Sequence, residues 1–290
     1  MFKIIILALV QGLTEFLPVS SSGHLALISH FFSGTPDDFF LTVFLHGGTL
    51  LATIIYFRTD IAQLFAGFRF RSGKSAASRR YLAAIIVGSI PVGILGLFLE
   101  EWAENIFISL PLLAVMFLIT GLALAVAGLK RPSPLHLPSG EKLAAFIPLP
   151  VGERLGEPRR VDSTQRGEGG VNLFQAFGIG CAQLASVLPG VSRSGSTISA
   201  GLISGLSRQE AFRFSFLLSL PAVTGAFLIE SVKVLKTGIA LPLPQVLIGF
   251  IISFAFGLLA LRLLKRLVLT GRLAWFSVYL LVVGLVTVFL

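Results

Sequence analysis

The stretch TEFLPVSSSGHLALISHFF, residues 14–32, decides the fold. Its flanks are apolar, yet its middle holds a proline, three serines, a glycine and a histidine, with Glu15 just before them. Ionisable and hydroxyl groups in apolar surroundings are costly unless they have partners or a task. The surroundings are apolar throughout: 54% of the 290 residues are hydrophobic and 13% are charged, with a mean hydropathy of +0.89. A soluble domain of this length carries about 25% charged residues. The composition therefore excludes a large soluble core and points to an all-α polytopic membrane protein. The single cysteine, Cys181, excludes an internal disulfide framework and reads as a buried free thiol.

The net charge of +9 lies between apolar runs rather than in a patch with exposed aromatics, which argues for membrane loops and against nucleic acid. Lys3 followed by a short apolar run resembles a signal peptide, but no A-x-A-like site follows, so the segment is read as retained. Six stretches are long enough, or nearly so, to cross a membrane at about 20 residues each: 37–57, 81–99, 108–128, 211–231, 243–261 and 274–290. Two more, 2–32 and 172–206, are interrupted by Pro, Gly and Ser and read as re-entrant hairpins. Of the 23 Lys and Arg, nineteen fall in 58–80, 129–171, 262–273 and at Arg208 and Arg213, on one side of that layout. The positive-inside rule then places both termini outside. Residues 129–171, rich in Pro, Gly and charge, read as a flexible cytoplasmic insertion.

The interruptions resemble one another. Val19-Ser20-Ser21-Ser22-Gly23 matches Val191-Ser192-Arg193-Ser194-Gly195 at an offset of 172 residues, with one extra glycine, Gly190, separating the proline in the second copy; upstream Gln11 faces Gln183 loosely, and downstream Asp38 and Phe40 fall over Glu210 and Phe212. The chain reads as a single membrane domain of two repeats, about 1–128 and 172–290. Three spans between the copies invert the second, the arrangement in which broken helices meet near the midplane. Irregular backbone at that depth is tolerated only inside protein or along a wet cavity.

Gln11 and Glu15, four apart, share a helix face. Ser20, Ser21 and Ser22 can cap the helix beginning at His24, and Ser192, Ser194, Ser196 and Thr197 stand at the start of the second. Two helix N-termini and the planar fork of Arg193 favour an anion bearing phosphate. Glu15 and His24 add groups that a pure binding site does not need: a carboxylate that binds a metal or takes a proton, and a neutral-range acid or base. Serine hydroxyls beside a base are candidate nucleophiles. The set points to phosphoryl hydrolysis. His30 and His46 read as structural or interfacial, with His46 able to border the cavity, and His136 as solvated.

QGLTEFLPVSSSGH (11–24) and PGVSRSGST (189–197) resemble the two signature motifs of the undecaprenyl-diphosphate phosphatase family, the bacterial bacitracin-resistance phosphatases. The resemblance extends to SRQEAFRFSFLLSLPAV (207–223) and covers most of the chain outside 130–171, which is longer and more divergent. It implies hydrolysis of undecaprenyl diphosphate to the monophosphate in a bacterial plasma membrane, recycling a cell-wall lipid carrier. It implies six spans with two re-entrant hairpins, a site opening to the outside, and Mg or Ca as a cofactor, for which Glu15 and Gln11 are candidate ligands. Glu15, His24, Ser21 and Arg193 are the candidate catalytic residues. Gln11, Ser20, Ser22, Ser192, Ser194, Ser196 and Thr197 are candidate phosphate ligands. Serine, histidine and water stay open as the attacking group. The expected partners are a polyprenyl diphosphate and membrane lipids, with room for a homodimer. Two rivals remain: a polyprenyl-phosphate flippase built on the same inverted repeat, and a non-catalytic lipid-binding scaffold.

Overall fold

The computed structural model describes residues 1–31, 36–69, 73–96, 98, 109–129, 170–237 and 242–290, with side chains outside the description at 29–31, 36–40, 67–69, 73–75, 129, 235 and 237. His30, His136, Asp38, Phe40, the acidic link 100–104 and nearly all of the 129–171 insertion lie outside the described residues or side chains. Regular structure among the described residues is helical. The helices are α1 (Phe2–Thr14), α2 (Ser21–Phe31), α3 (Pro36–Tyr56), α4 (Arg58–Arg69), α5 (Gly73–Leu95), α6 (Leu110–Leu129), α7 (Leu173–Ala185), α8 (Arg193–Ile203), α9 (Arg208–Thr237), α10 (Leu243–Leu269) and α11 (Ala274–Val288).

Among the described residues, four helices are long and apolar enough to cross a membrane: Ala76–Leu95, Leu110–Gly128, Arg208–Val234 and Leu243–Leu269. A fifth crossing arises if α3 and α4, bent by 63° at a short break, form one broken span. The multi-pass membrane class expected from hydropathy is therefore the observed one, with three differences of detail. The expected span 81–99 is shifted towards the N-terminus, because Lys74, Arg79 and Arg80 belong to the helix and not to a preceding loop. Part of the basic segment 58–80 is the amphipathic helix α4, with Leu64 buried against the core and Phe65 exposed. Helix α11 has 15 residues, about 22 Å at about 1.5 Å per residue, short of the roughly 30 Å of hydrocarbon.

The outer faces of several helices are apolar. Ile86, Ile90 and Ile94 on α5, Leu112, Val115, Ile119, Leu122 and Val126 on α6, and Val278, Val282 and Val286 on α11 are exposed at helical spacing. Such stripes are unstable in water and natural against lipid. Cys181, expected to be buried, is exposed on α7. A weakly polar thiol facing lipid leaves no strong hydrogen-bonding group unpaired, so it does not need burial in protein.

Inside, aromatic rings hold the helices together around the first interruption. Phe16, 1% exposed, packs on Phe216 at 5.8 Å, and Phe216 stacks on Phe57 and tilts against Phe212. Glu15 is thus fixed by a neighbour locked in the core. Helix α1 packs mainly on α10, while α7 packs mainly on α5, so each short apolar helix lies against a long one from the other half of the chain. Asp60 of α4 pairs with Arg213 Nε of α9 at 2.7 Å, and Arg208 donates to the Leu269 carbonyl at 3.4 Å.

Candidate active site

Both interruptions fold alike. Helix α1 stops after Thr14, and Ser20 adopts φ 67, the left-handed region that no other non-glycine residue among the described ones occupies. In the second copy the turn is made at Gly190, φ 89. Ser20 Oγ accepts from the Gly23 N–H at 3.3 Å, and Ser192 Oγ accepts from the Gly195 N–H at 3.1 Å. Each serine also lies 3.3 Å from the hydroxyl two residues on, Ser22 and Ser194 respectively. These are N-caps at positions 172 apart, as the serine content implies. A capping box at Asn172 and Gln175 starts α7.

The two turns touch. A Cβ on Gly23 would lie 3.0 Å from the Gly190 Cα and 2.6 Å from the Phe117 ring, and one on Gly195 would lie 3.4 Å from Pro18. Glycine is required at 23 for that approach. Thr120 of α6 braces the second turn, donating to the Gly190 carbonyl at 3.1 Å and accepting from the Ser192 N–H at 3.2 Å.

At the contact, Glu15 Oε1 accepts from Arg193 Nη2. Glu15 Oε2 accepts from Ser21 Oγ at 2.6 Å and from Gln11 Nε2 at 3.0 Å, and His46 Nε2 stands 3.8 Å away. The Glu15 and Arg193 side chains are 8% and 16% exposed. His46 lies on α3, where Gly47 and Gly48 let the backbone close on Phe227 and on the Phe250 carbonyl. Its Nδ1–H donates to the Thr42 carbonyl at 2.8 Å, which leaves Nε2 facing the carboxylate. A short carboxylate–hydroxyl bond beside a guanidinium and an imidazole can take a proton from serine and hold phosphoryl charge.

These groups open on a cavity of about 360 Å³. Of the expected site residues, Glu15, Ser20, Ser21, Ser22, Ser192 and Arg193 line it. Gln11, wholly buried, stands behind Glu15. Ser194 is buried under Ser192, and Thr197 is turned away, donating to the Arg193 carbonyl and meeting the Ser215 hydroxyl. Ser196 is half-buried and is not a lining residue. His24 is not brought to the cavity: its Nδ1–H donates to the Ser20 carbonyl at 2.8 Å, and its Nε2 accepts from the Tyr279 hydroxyl at 2.7 Å. It stacks on Tyr279 and meets the edge of Phe117, holding the strained Ser20 in place. Sequence reasoning did not assign Thr42, Gln183, Ser186 and Glu230 to the lining. For Gln183 a signal existed in its alignment with Gln11; for Thr42 and Glu230, brought in by packing of α3 and α9, there was none.

Beside the cavity runs a groove of about 470 Å³ between α5 and α9, lined by Ser89, Gly93, Gly96, Pro221, Gly225 and Ile229. The two share Val92, Val187, Ala222, Ala226 and Glu230. A Cβ added at Gly93 or Gly225 would meet nothing within 4 Å.

No group of three or more His, Cys, Asp and Glu that could hold a metal ion occurs among the described residues. The donors near Glu15 are nonetheless hard oxygens: its carboxylate, the hydroxyls, and the buried Gln11 Oε1, which has no hydrogen-bond partner. Mg²⁺ is commonly held by one or two carboxylates together with substrate phosphates, so the set fits an ion that arrives with a diphosphate and not a closed protein cage.

A sequence profile described as "Bacitracin resistance protein BacA" matches residues 4–286. A Desulfosudis oleivorans protein named undecaprenyl-diphosphatase is 39% identical over 297 residues, covering 99% of this chain and 97% of its own. Proteins of the same name from Treponema denticola and Methanococcus vannielii are 37% and 34% identical, covering 98% of this chain in both cases and 95% and 98% of their own.

Proposed function

Because the chain belongs to the bacitracin resistance protein BacA family, we propose that it is a membrane phosphatase that hydrolyses undecaprenyl diphosphate to undecaprenyl phosphate and phosphate, recycling a lipid carrier for cell-wall synthesis. The observation that carries this reading is the Glu15–Ser21–Arg193 contact across the two interruptions. A scaffold or a flippase needs phosphate donors but not a serine hydroxyl held by a carboxylate at 2.6 Å.

The residues divide the work as follows. Ser21 Oγ attacks the terminal phosphorus while Glu15 takes its proton. The bridging P–O bond breaks, and undecaprenyl phosphate leaves with the bond's electron pair. Water then attacks the phosphoserine, with Glu15 returning the proton to Ser21 Oγ and free phosphate departing. Arg193 binds the transferred phosphoryl oxygens, and the hydroxyls of Ser20, Ser22 and Ser192 complete the cradle. His46 is the second proton carrier, the role that the motif reading gave to His24. Glu15 and Gln11 would hold a Mg²⁺ or Ca²⁺ ion, whose chemistry is to neutralise phosphate charge.

The polyprenyl tail lies in the groove between α5 and α9, which leads away from the cavity at Val187. The crossed packing of α1 on α10 and α7 on α5 supports the reading of two inverted repeats in a single domain, with 274–290 as the sixth span. Both termini lie outside the plasma membrane, because nineteen of 23 basic residues fall on the other side of that layout.

The test is phosphate release from a polyprenyl diphosphate by the full chain purified in detergent, which abolishes vectorial transport but not hydrolysis. Release that Glu15→Gln suppresses supports the phosphatase; absence of release from the unsubstituted chain, with and without added Mg²⁺ or Ca²⁺, returns the field to the flippase or the scaffold.

A further inference from the structure

Gln183 is 2% exposed on α7 and lines the cavity, yet neither its Nε2 nor its Oε1 has a hydrogen-bond partner among the described residues. A buried carboxamide in that state is destabilising, and native structures rarely keep one without a reason. Its position supplies the reason. Gln183 lies 172 residues beyond Gln11. In the first half, Gln11 Nε2 donates to Glu15, four residues on. In the second half the residue four on is Val187. The second glutamine therefore lines the cavity with no carboxylate of its own to satisfy its amide.

The surroundings fix where that donor acts. The Gln183 backbone carbonyl accepts from Ser186 Oγ at 2.6 Å and from the Ser186 N–H at 3.0 Å, so the end of α7 is held in place. Val187, four residues on and in the turn that follows α7, is one of the residues where the cavity joins the α5–α9 groove. Gln183 thus lines the cavity four residues before that junction, whereas Ser21 and Arg193 meet Glu15 at the contact of the two turns.

We propose that Gln183 is a substrate-binding residue for the lipid-bearing phosphate, its Nε2–H donating to a phosphoryl oxygen of the group that leaves. This rests on the phosphatase reading for the identity of the ligand. The two halves have then diverged in a defined way: one glutamine orients the base, and its counterpart holds the phosphate that the base never touches.

The experiment measures binding apart from turnover. A farnesyl methylene-bisphosphonate, which cannot be hydrolysed between its phosphorus atoms, is titrated by calorimetry into the full chain in detergent, and into Gln183→Leu and Gln183→Glu. Loss of a donor to a charged oxygen weakens binding on the order of tenfold, and more in the Glu variant through repulsion. The melting temperature of Gln183→Leu should equal or exceed that of the unsubstituted chain, since it removes an unpaired buried amide. In turnover of the lipid diphosphate, the Leu variant should raise KM more than it lowers kcat. Binding of the analogue within twofold of the unsubstituted chain in the Leu variant overturns the proposal, as does failure of the unsubstituted chain to bind it. Should the Leu variant not fold, the Glu variant decides on the same criterion. If binding falls as expected but the unsubstituted chain releases no phosphate from a lipid diphosphate, the hydrolase reading fails while the role of Gln183 in binding stands.

Discussion

The contact between Glu15 and Arg193 joins the two halves of the chain and makes two separable demands on Arg193. One is structural. The Glu15 side chain is 8% exposed, and in Arg193→Ala it keeps Ser21 at 2.6 Å, Gln11 at 3.0 Å and His46 at 3.8 Å but loses the guanidinium. Removing one partner of a buried ion pair costs about 3–5 kcal/mol, because the other charge is left without compensation. The hydroxyl and amide that remain place this case at about 3 kcal/mol, the low end of that range. The other demand is chemical: removing one charge-stabilising donor costs about 10²–10³ in turnover. The double variant Arg193→Ala/Glu15→Gln separates them. With the carboxylate neutralised, the stability lost in Arg193→Ala should return to within about 1 kcal/mol of Glu15→Gln alone, while turnover stays at or below that of the worse single variant. The assays are thermal or denaturant unfolding in one detergent and phosphate release from a polyprenyl diphosphate. Strict additivity of the two stability losses would refute the buried pair. Turnover in Arg193→Ala within about threefold of the unsubstituted chain, against the loss of about 10²–10³, would refute its place in the site.

Ser21→Ala should lose on the order of 10³-fold or more in turnover with a modest fall in melting temperature from the lost bond to Glu15, and acid quenching of the unsubstituted enzyme should trap phosphate on Ser21; a rigorous absence of phosphoserine and, in an alkaline quench, of phosphohistidine assigns the attack to water. His46→Ala should lower kcat by about 10²-fold. His24→Ala should act first on stability, by about 1–3 kcal/mol, through the released Ser20 carbonyl and Tyr279 hydroxyl; kinetic effects in the reverse order would restore His24 to the chemistry. Gly93→Leu and Gly225→Leu, which fill the groove, should raise KM for undecaprenyl diphosphate while leaving farnesyl diphosphate little affected, and equal effects on both substrates would place the tail elsewhere.

The membrane class and most helix positions were legible because hydropathy over about 20 residues is a strong signal. The interruptions were legible for a related reason: Pro, Gly and Ser inside apolar runs have few structural uses, so Ser20 and Ser192 as helix caps followed from chemistry and repeat spacing alone. What composition could not show was direction. His24 lies within four residues of Ser21, yet one helical turn carries its ring to Tyr279, 255 residues away in sequence. His46 read as structural or interfacial, able to border the cavity, and its 3.8 Å approach to Glu15 depends on packing of α3 that no local pattern encodes. The break between α3 and α4 was hidden because a basic amphipathic helix and a basic loop have the same composition.

The account depends on a diphosphate lying between two serine-rich turns that meet inside the membrane. A structure of the full chain with a farnesyl methylene-bisphosphonate tests this most directly. The account predicts phosphoryl oxygens within hydrogen-bond distance of both Ser21 and Arg193, with the lipid chain leaving past Val187 between α5 and α9. Phosphates bound away from the Glu15–Arg193 contact, or held by one turn alone, would contradict it.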